Sequence, residues 1–125
     1  MIDYKRAKIL SVDFSGGRTH DFKLFKQSKL PLSAHTLVIA DKGYQGIKKI
    51  HENSIHPIKR RKKNPLSEAQ KAYNRLVCRL RFVIERVNGI LKRFRILSSR
   101  YRNAPSNFIN TFYLICGLYN FQCPM

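Results

Sequence analysis

"TLVIADKGYQGIKKI", residues 36–50, holds the reading of the fold. An apolar run, Leu37-Val38-Ile39-Ala40, stops at Asp41, and Lys42, Gly43 and Tyr44 follow at once. Four apolar residues in a row are too few to show a helical stripe, and they fit a short strand covered on both faces. The residue just beyond the carboxyl end of a strand is where an α/β sheet places its chemistry. From this segment alone Asp41 is either a ligand for a hard cation or a cap for the next helix, with Gly43 letting the backbone turn sharply.

The flanking segments alternate in type. RAKILSVDF (residues 6–14) fits a strand, and Ser15-Gly16-Gly17 breaks it. Asp21 is placed to cap the amides of a short amphipathic helix, FKLFKQSKL. QGIKKIHEN (residues 45–53) reads as a second helix and HPIKR (residues 56–60) as a third strand. Strand, helix, strand, helix, strand is an α/β pattern.

A run of five bases follows: Lys59, Arg60, Arg61, Lys62 and Lys63. Ser67-x-x-Gln70 then has the form of a capping box. It opens a long helix reaching to about Leu97, with an apolar stripe of Tyr73, Leu76, Leu80, Val83, Ile84, Val87, Leu91 and Phe94. SSRYRNAP ends it. The tail from Ala104 onward carries no charged residue and reads as a final buried helix.

Charge narrows the function. The 125 residues carry 25 Lys and Arg against 7 Asp and Glu, a formal net charge of +18. That excess fits a polyanionic partner, most simply nucleic acid. Cys78, Cys116 and Cys123 form no CxxC and, with four scattered histidines, no zinc pattern. The N-terminus lacks an apolar signal core, so a reduced, cytoplasmic setting without membrane insertion is expected.

Glu85 is the single acid in the middle of the long helix. At about 100° per residue, Cys78, Arg81, Glu85 and Lys92 share one flank. Arg81 and Glu85 form either a plain surface pair or, with Lys92, a group suited to phosphate chemistry, the carboxylate toward a metal and the cations toward the phosphate.

ADKGYQG, the GRTHD element at Gly17 to Asp21, and the spacing Arg81-x3-Glu85-x6-Lys92 resemble the C-terminal catalytic part of bacterial insertion-sequence DDE transposases. ERVNGILKRFRILSSRYRN is similar to their long-helix region, and the resemblance spans essentially the whole chain. It implies an α/β, RNase H-like domain over residues 1–125, truncated at its N-terminus, with a long catalytic helix and a final buried helix. It implies DNA transposition, with Asp41 and Glu85 as ligands of Mg²⁺ or Mn²⁺ and Arg81 and Lys92 as the basic catalytic partners. Lys59, Arg60, Arg61, Lys62, Lys63, Arg93 and Arg95 are the expected contacts to DNA phosphates. Two departures stand out. Cys78 replaces the family's tyrosine, and the strand bearing the family's first acid lies upstream of anything here, with Asp13 in the following hairpin. The implied partners are therefore transposon-end and target DNA, an upstream transposase segment and a second copy. The alternatives are a non-catalytic basic nucleic-acid-binding protein and an inactive transposase remnant.

Overall fold

The computed structural model describes residues 1–98 and 104–123. In chain order the elements are α1 (Asp21–Ser28), β1 (Val38–Ile39), a 3-10 turn (Ile47–Lys49), β2 (Ser54–Ile55), α2 (Glu68–Leu91), α3 (Arg95–Ser98) and α4 (Pro105–Gln122). The chain divides into two compact units, one of Ser15–Phe82 and one joining Met1–Phe14 to the chain from Val83 onward.

In the Ser15–Phe82 unit, β1 and β2 pair in parallel, with Val38 opposite Ser54 and Ile39 opposite Ile55. The amide of Ala40 donates to the Ile55 carbonyl at 2.9 Å, so pairing runs up to the residue before Asp41. Val38 and Ile39 are only half-buried and Leu37 is exposed, so the expected cover on both faces is not found. A parallel pair needs a crossover. The helix expected over residues 45–53 shrinks there to one 3-10 turn. Gly46, at φ 85°, opens that turn, and the fully buried Ile47 pins it. Beyond it, side chains bond to backbone ahead of β1 instead of lying along a helix. His51 Nε2 meets the Thr36 carbonyl, and Asn53 Nδ2 donates to the His35 carbonyl at 3.0 Å.

The third strand is displaced as well. It lies at Ser54–Ile55 instead of within residues 56–60. Pro57 has no amide to give a ladder, and both backbone groups of Ile58 are taken by one side chain. Its N–H donates to Asn74 Oδ1 at 2.7 Å, and Asn74 Nδ2 donates to its carbonyl at 3.0 Å. The five-base run that follows is a tight exposed turn closed by a bridge between Arg61 and Asn64. The capping box is present in full: Gln70 N–H donates to Ser67 Oγ at 3.2 Å and Ser67 N–H to Gln70 Oε1 at 3.0 Å. Asp21 does not cap α1. It occupies the first helical turn after His20, where its charge favours the helix N-terminus.

In the other unit, residues 6–14 form no strand. The chain doubles back through Ala7, at φ 54°, with a single antiparallel bridge between Ile2 and Ile9. Asp3 Oδ1 accepts the Lys5 and Arg6 amides and holds the turn. A ladder cannot extend along Ile9, because Asn120 of α4 takes both its amide and its carbonyl at 2.8 Å each. Beneath this hairpin lies a core of Ala7, Val87, Leu91, Ile115 and Tyr119.

Instead of running to Leu97, α2 stops at Leu91. Asn88 and Gly89 are weak helix formers, and Arg93 and Phe94 donate back three residues, to Ile90 and Leu91 at 3.1 Å each, tightening the last turn. The apolar stripe is right only in part. Val87 and Leu91 are buried, but Leu76 and Phe94 are exposed, and Val77, outside the stripe, is fully buried. The tail helix is likewise only one-sided: α4 buries Ile115, Cys116 and Tyr119, while Tyr113, Leu114, Leu118 and Phe121 face solvent, Phe121 at 89%. Phe14 packs edge-on to Phe108, Phe112 and Tyr113 at 5.4–6.4 Å between ring centres. Among the described residues no helix is long and apolar enough to cross a membrane.

Tyr119 donates its hydroxyl to the Ala7 carbonyl at 2.8 Å. Burial first, and then the Cys123 thiol beside it, push its pKa up from 10.0 to about 12. The unfolded chain therefore releases this proton first as pH rises. Stability contributed by the neutral hydroxyl is full below pH 10 and declines toward pH 12, and Tyr119→Phe should flatten that alkaline decline in a series of thermal melts.

Candidate active site

Asp41 follows directly on the last paired residue of β1, and its own turn fixes it. The Tyr44 amide donates to the Asp41 carbonyl at 3.0 Å, the Lys42 amide to Asp41 Oδ1 at 2.6 Å, and Gln45 Nε2 to the Lys42 carbonyl at 2.8 Å. Gly43 does not serve this turn as expected. Its φ is not positive; instead a Cβ there would stand 3.1 Å from Cε1 of His20, a tight approach that a larger residue would relieve by shifting the exposed ring. The sharp left-handed residue is Gly46.

Tyr44 ties the turn to α1. Its ring sits 5.3 Å from Phe22 and 5.9 Å from Phe25, the two aromatic residues one turn apart on α1. Burial, with the Asp21 and Asp41 carboxylates adding to it, raises the Tyr44 pKa above its ordinary value. The phenol therefore stays a neutral donor through the physiological range. The sequence announces neither this seat nor the His20 approach, although the three-residue spacing of Phe22 and Phe25 beside ADKGY is a signal for the first.

From α2, Arg81 reaches Asp41. Its Nη1 lies 3.2 Å from Asp41 Oδ1, with the arginine side chain 22% exposed and the carboxylate 56%. Oδ1 thus carries an amide and a guanidinium, whereas Oδ2 has no partner among the described residues. An anchored carboxylate with one open oxygen suits a hard cation, which takes oxygen ligands.

The other expected residues fall as follows. Glu85 is exposed on α2, one helical turn beyond Arg81. Lys92 is exposed just past the end of α2, its amide still bonded to the Asn88 carbonyl at 3.0 Å. Arg93 and Arg95 are exposed at and after the break between α2 and α3, and Asp13 is exposed near the chain's amino end. Glu85, Lys92, Arg93, Arg95 and Asp13 belong to one unit, Asp41, Arg81 and residues 59–63 to the other. Among the described residues no group of three His, Cys, Asp or Glu side chains is gathered for a metal ion.

Comparison with known proteins adds a family. The family described as DDE superfamily endonuclease matches residues 1–120. A protein of Microchaete diplosiphon, described as a probable transposase for insertion sequence element IS702, is 48% identical over 122 residues, covering 98% of this chain and 44% of its own length. The chain therefore spans less than half of the relative that it matches. No solved structure matches significantly.

Proposed function

Because the chain belongs to the DDE superfamily endonuclease family, we propose that it serves DNA transposition, as part of a transposase that cuts and rejoins strands at insertion-sequence ends. The observation that carries the reading is Asp41, anchored through one oxygen by Arg81 at the carboxyl end of β1 and open at the other. We further propose an RNase H-like fold for this α/β domain, supported by the family match over residues 1–120.

Asp41 and Glu85 are the residues proposed to hold Mg²⁺ or Mn²⁺, because carboxylate oxygens without thiolate ligands favour hard cations over zinc. Such an ion, when bound, supplies Lewis acidity toward a phosphodiester and its attacking oxygen. Arg81 orients the Asp41 carboxylate, and Lys92 offsets negative charge building on the phosphate. The third acid implied by the family resemblance is proposed to come from a further transposase segment, and DNA at the ends and target is the proposed substrate.

The test is nicking of supercoiled DNA carrying the insertion-sequence ends, with the chain joined behind the remaining segment of the IS702-type relative. Mn²⁺-dependent nicking that EDTA abolishes is the expected result. DNA binding with no Mn²⁺-dependent nicking in the joined form would favour the non-catalytic basic protein instead.

Binding itself should be salt-sensitive through the exposed turn of Lys59, Arg60, Arg61, Lys62 and Lys63. Each phosphate neutralised contributes about −0.9 to the log–log slope of affinity against salt. Changing these five residues to glutamine should flatten the slope in a fluorescence-anisotropy titration by about 0.9 for every phosphate that the turn neutralises. An unchanged slope would remove the turn from the interface.

A further inference from the structure

The solvent face of α2 carries an aromatic ring that the core does not use. Phe82 is 66% exposed. At about 100° per residue it shares an arc of about 60° with Arg75 and Arg79, on the side away from the fully buried Val77. Both arginines are exposed, and neither has an ion pair among the described residues. The one acid in the first turn of α2, Glu68, is already held by Lys71 at 2.8 Å. The three side chains span about 10 Å along the helix. The basic turn of residues 59–63 is tethered to the same stretch, since Asn74 grips Ile58 immediately ahead of it.

An exposed phenyl ring among unpaired guanidiniums is poorly explained as packing, because a leucine or lysine there would cover the helix as well. It fits a ligand that is both anionic and flat-faced. Resting on the reading of this chain as a DNA-acting protein, we propose that Arg75, Arg79 and Phe82 form a stacking site for unpaired nucleotides. The Phe82 ring takes the face of a base and the two arginines take neighbouring phosphates. Inside a duplex both faces of each base are covered by its neighbours, so the ligand is single-stranded or frayed DNA, where aromatic stacking is sequence-tolerant. None of these three residues belongs to the proposed metal site or the basic turn.

The chain contains no tryptophan, so Phe82→Trp introduces a single indole at the site. Titrated with an oligothymidylate of ~15 nucleotides, its emission should be quenched in parallel with the rise in anisotropy of the labelled DNA. Phe82→Leu should weaken single-strand binding by about 5- to 150-fold, the range equivalent to losing one stacked base, while blunt-duplex binding stays within about twofold. Changing Arg75 and Arg79 to glutamine should flatten the single-strand salt slope by about 0.7 for every phosphate that the pair neutralises. Single-strand binding with unchanged indole emission would overturn the site and leave the transposase reading standing, and so would Phe82→Leu binding as well as the parent chain. Absence of binding to any DNA would overturn both. If the leucine variant does not fold, the indole titration still decides.

Discussion

Asp41→Asn is expected to lower Mn²⁺-dependent nicking by more than about 100-fold in the joined transposase, since loss of a metal ligand exceeds the 10- to 100-fold cost of disturbing the groups that orient one. Glu85→Gln should do the same. Neither change removes a buried group, because both carboxylates are exposed, so thermal melts should move little. DNA affinity should hold or rise, because each variant takes a negative charge from a chain that is already strongly basic. That combination, activity lost with affinity and fold retained, separates a catalytic role from a structural one. Arg81→Lys supplies a graded control. Lysine keeps the charge but not the planar fork that reaches Asp41 Oδ1 at 3.2 Å, and a loss of about 10- to 100-fold is expected, as for other residues that orient a ligand. If Asp41→Asn nicks as well as the parent, the carboxylate is no more than part of its turn.

The second large effect is on stability. Asn120 supplies both an acceptor and a donor to the backbone of Ile9, at 2.8 Å each, and so acts as one residue of a missing strand. Asn120→Ala orphans two part-buried backbone groups, and at about 1–3 kcal/mol for each the expected loss is about 2–6 kcal/mol in urea unfolding. Asn120→Asp is the sharper probe. It keeps an acceptor for the Ile9 amide but sets a carboxylate against the Ile9 carbonyl, so it should destabilise nearly as much as alanine. A variant within about 0.5 kcal/mol of the parent, the usual range for an uninvolved surface position, would mean that this clamp contributes nothing.

Asn120 and Asn74 also explain where the sequence misleads. Segments 6–14 and 56–60 have the β-branched, apolar look of strands, and both do run close to backbone partners. At Ile9 and Ile58, however, the partner is Asn120 or Asn74, a side chain on a helix. Propensity cannot distinguish that from a ladder, because the pairing is set by residues 111 and 16 positions away. Local signals are more legible. The Ser67–Gln70 capping box closes as its spacing requires, and the Asp41 turn follows the strand that its apolar run announces. The helix expected over residues 45–53 fails for the opposite reason. Its pattern looks local, but His51 and Asn53 are committed to backbone before β1.

At the site, Asp41 and Arg81 each stand out in the sequence, but their pairing does not. The sequence offers Arg81 a nearer carboxylate four residues along the same helix, and only the fold reveals that its guanidinium also reaches the strand end. Gly43 illustrates the same limit. Its place after Asp41 suggests backbone freedom, whereas its φ is not positive and the exposed His20 ring lies against it.

Whether Asp41 and Glu85 together hold a hard divalent cation is tested most directly by calorimetric titration of Mn²⁺ into the chain and into its Asp41→Asn and Glu85→Gln variants. Weak Mn²⁺ binding that either substitution removes, with no preference for Zn²⁺, is the predicted result. Mn²⁺ binding of equal strength in all three proteins, or tight Zn²⁺ binding indifferent to both substitutions, would contradict it.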